Sequence, residues 1–279
     1  MSGPPVALSI AGSDCCAGAG IQADLKTFSL LGVHGVTAVS TVVAETPRKV
    51  HGTHHLSPAA LQEQILALLD CYPVAAIKTG LLGTAAHITA VAEVLEEQEK
   101  PLVVDPILSS STGTVFASGE VVSAYRERLL PLASLVTPNL PEAEQLVGSR
   151  IRPENPDEHP ALETTRQLGE QLGTAILVTG GHSVWKEEAT DILYHQGKVY
   201  FYSAPWIDLP SAHGTGCAYS AAITGYLAHG LDLVKSIGSA RPMITRMLET
   251  SYTWPPGIGN EELRALNQLP ERRAARQSK

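Results

Sequence analysis

Residues 6–31 of this 279-residue chain read VALSIAGSDCCAGAGIQADLKTFSLL, a pattern that predicts a strand, a glycine-rich loop and a helix. Val6 to Ile10 is a short apolar run of the kind that forms a buried strand. From about Ala19 to Leu31 the apolar residues recur at helical spacing, and Gly32 supplies a C-terminal cap. The predicted buried face of this helix consists of Ile21, Leu25, Phe28 and Leu31. This stretch is the first β-α unit of the chain.

The same alternation continues along the sequence. Further strands are predicted at 35–44, 74–77, 102–104, 135–137 and 175–178, with a hairpin of 191–194 and 199–202. Helices are predicted from Ser57-Pro58 onward and at 84–97, 121–130, 161–172, 216–229 and 233–249. Repeated β-α units predict an α/β fold, with a mostly parallel central sheet and helices on both faces. We expect one domain over 1–279, with a frayed tail at 271–279.

Composition narrows the function classes. The chain has 20 Lys and Arg against 28 Asp and Glu, a net charge of −8, which disfavours nucleic-acid binding. No apolar run reaches the roughly 20 residues of a membrane helix, and we expect a cytoplasmic protein without membrane contact. The four cysteines (Cys15, Cys16, Cys71 and Cys217) form no disulfide framework, and their spacing predicts no zinc site. His51, His54 and His55 are expected to be surface residues near a turn.

Polar and glycine-rich segments follow the predicted strands. They are Gly12-Ser13-Asp14, Glu45, Lys78-Thr79-Gly80, Asp105-Pro106, Thr137-Pro138-Asn139 and Thr179-Gly180-Gly181. In open parallel sheets, ligands bind beyond the carboxyl ends of the strands. The sequence therefore predicts an active site where these segments meet.

The strongest local motif is His213-Gly214-Thr215-Gly216-Cys217-Ala218. Glycines at the start of a helix leave backbone N–H groups accessible, so the motif is typical of an anion cradle. The helix field would lower the pKa of the Cys217 thiol. Glycine-rich packing of the helix against the sheet is the alternative explanation.

The glycine loop of the first unit matches the dinucleotide pattern G-x-G-x-x-A at Gly18 to Ala23. Seven residues separate the strand end at Ile10 from Gly18, too many for the tight turn of a nicotinamide-binding site. Asp24 follows this loop, either as a substrate ligand or as a carboxylate that interacts only with the helix dipole.

A third motif, Asn139-Leu140-Pro141-Glu142, begins another predicted helix. Asn139 as N-cap with Glu142 three residues later is close to a capping box. The same carboxylate could also act through water on a hard cation. Spacing alone leaves both interpretations open.

Read together, these motifs resemble the hydroxymethylpyrimidine/phosphomethylpyrimidine kinases of thiamine biosynthesis, a branch of the ribokinase-like family. The resemblance covers nearly the whole chain. It is carried in order by 11–14 (AGSD), 18–28 (GAGIQADLKTF), 78–80 (KTG), 104–106 (VDP), 137–143 (TPNLPEA), 180–182 (GGH) and 213–217 (HGTGC).

The resemblance implies phosphoryl transfer from ATP, with Mg²⁺, to an aminopyrimidine or to the phosphate already attached to it. It implies a pyrimidine pocket of Gly12, Asp24, Glu45, Leu81 and Ile107. Gly214, Thr215, Gly216 and Cys217 would be catalytic, with a Cys217 thiolate as base, and Asn139, Thr179 and His213 would bind ATP. Asp105 and Glu142 would serve the metal, through water where needed, and the protein would be a homodimer.

The sequence departs from the family pattern at several positions. Glu45 stands where Gln is usual, and Cys15-Cys16-Ala17 replaces a Pro/Ser/Gly stretch. Lysines common near the phosphates are missing from 109–113 and from position 179, where Thr179 stands. A carboxylate can only accept hydrogen bonds unless it is protonated. Glu45 would pair with a protonated ring nitrogen and the exocyclic amine of the pyrimidine, and such a charge-assisted pair could change which pyrimidine is preferred. Our hypothesis is that the pyrimidine monophosphate is preferred over the free alcohol.

Two alternatives stay open at this point. A pyridoxal-type vitamin kinase would need a pocket for a phenolic oxygen, which Glu45 would repel. A catalytically weak aminopyrimidine-binding paralogue is favoured by the missing lysines and opposed by the retained Gly214–Cys217 motif.

Overall fold

A computed structural model describes residues 3–109, 118–149, 159–180, 188–207, 209, 213–255 and 263–270. The strands are β1 (Val6–Asp14), β2 (His34–Thr46), β3 (Lys49–His55), β4 (Val74–Thr79), β5 (Leu102–Val104), β6 (Leu135–Val136), β7 (Ala175–Val178), β8 (Glu188–His195), β9 (Lys198–Pro205), β10 (Tyr252–Trp254) and β11 (Leu263–Ala265). The helices are α1 (Gly20–Leu30), α2 (Pro58–Cys71), α3 (Ala85–Leu95), α4 (Gly119–Ala124), α5 (Leu140–Val147), α6 (Leu162–Leu172), α7 (Thr215–Ala228) and α8 (Leu233–Glu249).

Within the described residues, nine strands form one sheet in the order β3-β2-β1-β4-β5-β6-β7-β8-β9. Six neighbouring strands of this sheet, β2, β1, β4, β5, β6 and β7, pair in parallel. The edge strands pair antiparallel: β3 at one edge, and β8 and β9 at the other. Parallel pairing brings the carboxyl ends of the central strands to one edge of the sheet. The predicted α/β class and its mostly parallel sheet are confirmed.

Alternating side chains of β1 enter two different cores. Leu8 and Ile10 pack with α2 to α6 on one face of the sheet, whereas Ala7 packs with Phe28 of α1 and with α7 on the other. Helix α8 extends the second core. A strand buried on both faces reads as a continuous apolar run, which is why 6–10 was recognisable from sequence.

Three local expectations need correction. Residues Lys49–His55 form an edge strand rather than a turn, although His51, His54 and His55 are exposed as expected. Leu25 is 36% exposed and does not belong to the buried face of α1. The helix predicted at 121–130 becomes a π-helix at Tyr125–Leu129 and a 3₁₀ turn at Leu130–Leu132, because Pro131 cannot donate a backbone hydrogen bond.

Other boundaries moved by a few residues, as helix and strand ends usually do. Strand β1 extends to Asp14, through a register shift between Ala11 and Ser13. The predicted frayed tail at 271–279 lies outside the described residues. None of the described helices combines the length and the hydropathy needed to cross a lipid bilayer.

Candidate active site

A cavity of about 580 Å³ opens at the carboxyl ends of the parallel strands. Its wall contains thirteen of the predicted site residues: Gly12, Glu45, Leu81, Asp105, Ile107, Asn139, Glu142, Thr179, His213, Gly214, Thr215, Gly216 and Cys217. These residues come from segments spread over most of the chain. The fold thus brings together the motifs that sequence reasoning had placed at one edge of the sheet.

Asp24 is the predicted site residue that is not part of this wall. Its side chain is fully buried, and its Oδ2 lies 2.9 Å from Nζ of Lys78 and accepts a hydrogen bond from Ser9 Oγ at 2.6 Å. Burial raises the pKa of Asp24, and the charge of Lys78 opposes that rise. Asp24 therefore contacts Lys78 and Ser9, beneath the cavity rather than in its wall.

Lys78 does line the cavity, as a fixed positive charge at its base. Burial disfavours its charged form, but the carboxylates of Asp24 and Asp105 raise the pKa of Lys78 above its usual value. It stays protonated at neutral pH. Lys78 belongs to the KTG motif, but nothing local in the sequence indicates this role.

The loop between β1 and α1 is organised by Asp14, another residue without a predicted role. Its carboxylate accepts hydrogen bonds from the backbone N–H groups of Cys16, Gly18 and Ala19, at 2.8 to 3.0 Å. Burial alone would raise the pKa of Asp14, but hydrogen bonds from His213, Cys16 and the backbone lower it well below its usual range. Asp14 is ionised and fixes the loop.

This first loop is stacked on the HGTGC motif. A Cβ on Gly214, which has φ +82°, would lie 1.8 Å from the carbonyl oxygen of Gly18. A Cβ on Gly18 would in turn lie 2.6 Å from the His213 ring. Glycine is needed at both positions because the two loops touch backbone to backbone.

Helix α7 begins immediately after Gly214, with its N-terminus in the cavity wall. The first regular hydrogen bond of this helix runs from Ala218 N–H to Gly214 C=O, so the preceding residues form the open end of the helix. Nothing lies within 4 Å of a Cβ built on Gly216. The turn therefore offers backbone donors, the positive helix end and open space to an anion.

The predicted lowering of the Cys217 pKa is wrong for this structure. Burial raises the pKa of the thiol to about 12; Lys78 and the N–H of Gly20 lower it, but Asp105 and Asp24 work in the opposite direction. Desolvation and two carboxylates outweigh the helix end and the lysine. The raised pKa disfavours the thiolate form of Cys217.

Asp105 and Glu142 are two buried acids that also line the cavity. Asp105 Oδ2 accepts a hydrogen bond from Ser220 Oγ at 2.9 Å. Burial raises the pKa of both carboxyls, that of Glu142 to about 8 with the charge of Asp105 as the second cause. The buried hydroxyl of Thr137, also in the cavity wall, has no hydrogen-bond partner among the described residues.

Glu142 also completes the capping box of α5. Asn139 Oδ1 accepts from the Glu142 N–H at 2.9 Å, and Glu142 Oε2 accepts from the Asn139 N–H at 3.0 Å. Capping is therefore confirmed, while Oε1 accepts from Leu108 N–H at 3.3 Å at the cavity side. Oxygen donors of this type are those that Mg²⁺ prefers, and a dication would offset two acids that repel each other. The donor set fits Mg²⁺.

Glu45 is 9% exposed and lies in the cavity wall near Asp14 and His213. Burial and the charge of Asp14 raise the pKa of Glu45, and the charge of His213 opposes this. Among the described residues its carboxylate has no hydrogen-bond partner. A buried carboxyl without a partner is suited to a ligand that supplies hydrogen-bond donors.

One part of the cavity was missed by sequence reasoning altogether. Arg241 of α8 lies 3.0 Å (Nε) from Asp191 Oδ2 and donates to the Ala189 carbonyl, all at the end of the cavity that includes Thr179. Nothing local marks Arg241, because it lies inside a predicted helix. In the segment 109–113, the structure describes only Ser109, which lines the cavity. Residues 110–113 and 181–187 are not among the described residues.

Comparison with known proteins decides the family. The family model for phosphomethylpyrimidine kinase matches residues 14–262. The chain belongs to the phosphomethylpyrimidine kinase family. It is therefore a phosphotransferase, and the predicted family resemblance is confirmed.

Individual relatives agree. The hydroxymethylpyrimidine/phosphomethylpyrimidine kinase of Haemophilus influenzae is 37% identical over 93% of this chain and 96% of its own length. The thiamine biosynthesis bifunctional protein ThiED of Geobacter sulfurreducens is 38% identical over 90% of this chain, which spans about half (51%) of that longer protein.

Solved structures include both vitamin-kinase branches. A Bacillus subtilis pyridoxal kinase in complex with ADP is 34% identical with a TM-score of 0.82, covering 94% of this chain and 97% of that one. A phosphomethylpyrimidine kinase from Clostridium difficile is 33% identical with a TM-score of 0.74, covering 86% and 98%. A Staphylococcus aureus pyridoxal kinase, 28% identical with a TM-score of 0.81 over 96% and 94%, was solved with AMP-PCP and pyridoxal.

Proposed function

We propose that this phosphomethylpyrimidine kinase family member uses Mg-ATP to phosphorylate the phosphate of 4-amino-5-hydroxymethyl-2-methylpyrimidine phosphate, forming the diphosphate. The free hydroxymethylpyrimidine would be the slower acceptor. The raised pKa of the Cys217 thiol, which lines the cavity, supports this choice. A phosphate oxygen is already anionic and attacks without a base, whereas an alcohol gains from losing its proton to one.

Glu45 supports an aminopyrimidine as the bound ring. The exocyclic amine and a protonated ring nitrogen would present two donors to a carboxylate that is buried and has no partner among the described residues. Such a charge-assisted pair is about twice as strong as a neutral one. Gly12, Leu81 and Ile107, which line the same cavity, would pack around the ring.

The cradle at Gly214, Thr215, Gly216 and Cys217 would hold the transferred phosphoryl group. Backbone N–H groups there are fixed in advance by the contact of Gly214 with Gly18, so they need not reorganise as charge develops. Lys78 would add a fixed positive charge below them, part of what the lysines absent from 109–113 and 179 supply in relatives. ATP would lie toward Asn139 and Thr179.

Mg²⁺ would be held by Asp105 and Glu142, directly or through water, and would neutralise charge on the ATP phosphates. Binding would require Glu142 to be ionised, against its raised pKa of about 8. His213, predicted to contact ATP, has its ring 3.3 Å from Asp14 Oδ2. We assign it to holding the two loops together at the pyrimidine end.

A direct assay tests the proposal. ADP release would be measured with the pyrimidine monophosphate, the free alcohol and pyridoxal, each with Mg-ATP. We expect the monophosphate to give the highest kcat/KM. A higher value for the free alcohol would overturn the acceptor assignment, a higher value for pyridoxal would assign a pyridoxal-type kinase, and no turnover would favour a binding paralogue.

Two sequence-based expectations are carried into this proposal. A homodimer would give twice the monomer mass in light scattering, and a monomeric mass would contradict it. The proposed cytoplasmic location would place the enzyme with its ATP supply, and fractionation of cells that express it is the corresponding test.

A further inference from the structure

Three potential metal ligands meet where the two glycine loops touch. Cys16 Sγ lies 3.2 Å and His213 Nε2 lies 3.3 Å from the same oxygen, Asp14 Oδ2. All three ligand atoms lie within 4.8 Å of one another. Sequence spacing predicted no zinc site at Cys15-Cys16, because His213 is almost two hundred positions away in the chain.

The separations suit a four-coordinate ion. Zinc binds sulfur at about 2.3 Å and nitrogen or oxygen at about 2.0–2.2 Å, so adjacent tetrahedral ligands are about 3.5 Å apart. The observed 3.2 and 3.3 Å contacts to Asp14 Oδ2 are close to that spacing, and the third pair, Cys16 Sγ and His213 Nε2, lies within 4.8 Å. Sulfur and imidazole ligands favour Zn²⁺ and similar ions over Mg²⁺, which prefers oxygen.

Asp14 Oδ2 is surrounded by more donors than it can satisfy. Besides the thiol and the imidazole, it accepts backbone N–H groups from Gly18 at 3.0 Å and Ala19 at 2.9 Å. Two lone pairs cannot serve four donors equally well. Replacing the S–H and the imidazole N–H by one dication would reduce the four contacts on this oxygen to three and would exchange the two longest of them for one metal bond.

The cluster is also reachable from solvent. Cys16 is exposed, and together with His213 it lines a second cavity of about 410 Å³, whose wall includes Lys26, Tyr252 and Trp254. Residues Cys16 to Gly18 of the first glycine loop line this second cavity, whereas Asp14 and His213 line the active-site cavity. An ion could enter from the second cavity and leave a fourth coordination position for water.

We propose that Asp14, Cys16 and His213 form a binding site for a thiophilic dication of the Zn²⁺ type, separate from the Mg²⁺ position at Asp105 and Glu142. On binding, the Cys16 thiol loses its proton to solvent and the sulfur becomes a thiolate ligand. His213 binds through the Nε2 lone pair, with any proton on that nitrogen moving to solvent or to Nδ1. No oxidation or reduction occurs.

A bound ion would connect the first glycine loop, through Asp14 and Cys16, to His213, which precedes the anion cradle. Because Gly18 and Gly214 already touch, an added metal bond would restrict both loops at once. We therefore expect the ion to inhibit phosphoryl transfer. Inhibition depends on the proposed function, but metal binding does not, so the two can fail separately.

Cobalt(II) is a suitable probe, because a thiolate ligand gives an intense charge-transfer band in the near ultraviolet. Metal-free protein without nucleotide would be titrated with Co²⁺, and then Zn²⁺ would be added to displace it. We expect a saturable band at one ion per chain in the wild type, absent from Cys16→Ser. X-ray absorption of the Zn²⁺ form should show one sulfur with nitrogen and oxygen ligands.

Cys15→Ser is the matched control, because the neighbouring Cys15 thiol donates instead to the Glu45 carbonyl at 3.2 Å. We expect this variant to keep the band, and Cys16→Ser to bind Zn²⁺ at least tenfold more weakly. A wild-type protein without a thiolate band or without sulfur around bound Zn²⁺ would overturn the site. So would a band that survives Cys16→Ser or disappears in Cys15→Ser.

Discussion

Lys78 Nζ lies 2.9 Å from Asp24 Oδ2, and neither side chain is exposed to solvent. The pair joins α1 to β4 beneath the active-site cavity. Lys78→Met would leave the Asp24 charge buried without its partner, which costs about 3–5 kcal/mol in comparable pairs. We expect a loss of that size in the free energy of unfolding, measured by denaturant titration.

An exposed ion pair provides the control for Lys78→Met. Lys235 and Asp232 are 75% and 54% exposed, and solvent screens exposed pairs of this kind so that they contribute little to stability. Lys235→Met should therefore change stability little. Equal losses in the two variants would show that burial of the Lys78 pair is not what makes it important.

The two glycines of the anion cradle should respond differently to alanine. Gly216→Ala places its methyl in open space within the cradle, so we expect an unchanged melting temperature and a fall in kcat of about 10²-fold, as for lost oxyanion donors. Gly214→Ala should instead unfold at a lower temperature, because its Cβ would meet Gly18 C=O at 1.8 Å. Full activity of Gly216→Ala would argue against phosphoryl binding at this turn.

Cys217→Ser should retain most activity toward the pyrimidine monophosphate. A thiol whose pKa is raised to about 12 is not an effective base, so we expect kcat to change by less than about tenfold, whereas loss of a general base costs about 10²–10⁴-fold. Steady-state ADP release tests this, with Cys71→Ser, an exposed cysteine, as control. A drop of 10³-fold confined to Cys217→Ser would restore the base role.

Glu45→Gln should weaken binding of the aminopyrimidine. A neutral amide would replace a charge-assisted pair, and we expect KM for the monophosphate to rise about tenfold with kcat little changed. Unchanged KM would contradict direct contact between Glu45 and the ring.

Asp14→Asn should destabilise the protein in a pH-dependent way. An amide would turn an NH₂ group toward backbone N–H donors that now bind a carboxylate, and we expect a loss of about 2 kcal/mol at pH 7. The pKa of Asp14 is lower in the folded protein, so its contribution is complete above the unfolded pKa near 3.9. It declines as pH falls further through the folded value.

Unfolding curves of wild type and Asp14→Asn between pH 3 and pH 7 would test this sign. The difference between the two proteins should be constant above about pH 5 and shrink toward pH 3. A difference that grows on acidification would mean that Asp14 binds its proton more tightly in the folded state.

Sequence reasoning succeeded where local chemistry determines structure. The Asn139–Glu142 capping box, one of the two interpretations of that motif, and the start of α2 at Ser57-Pro58 each depend on residues a few positions apart, and the structure contains both. Strand β3 was missed because its sequence, KVHGTHH, is polar and lacks apolar alternation. Only its antiparallel pairing with β2 makes it a strand.

The site was predictable in its membership but not in its electrostatics. Strand-end motifs identified the cavity wall, whereas Asp24 and Lys78 are 54 residues apart and no local pattern shows that they pair. The Cys217 error has the same origin. Position at a helix start suggested a lowered pKa, but burial and the carboxylates of Asp105 and Asp24 depend on tertiary packing.

The stacking of Gly18 under His213 and Gly214 bears on the design of chimeric vitamin kinases. A first loop transplanted from a relative would present a different backbone surface to the second loop, which fits the original first loop at Gly18 and Gly214. Exchanging either segment alone should give poorly fitting hybrids. Substrate preference is therefore better transferred by moving both segments as one unit.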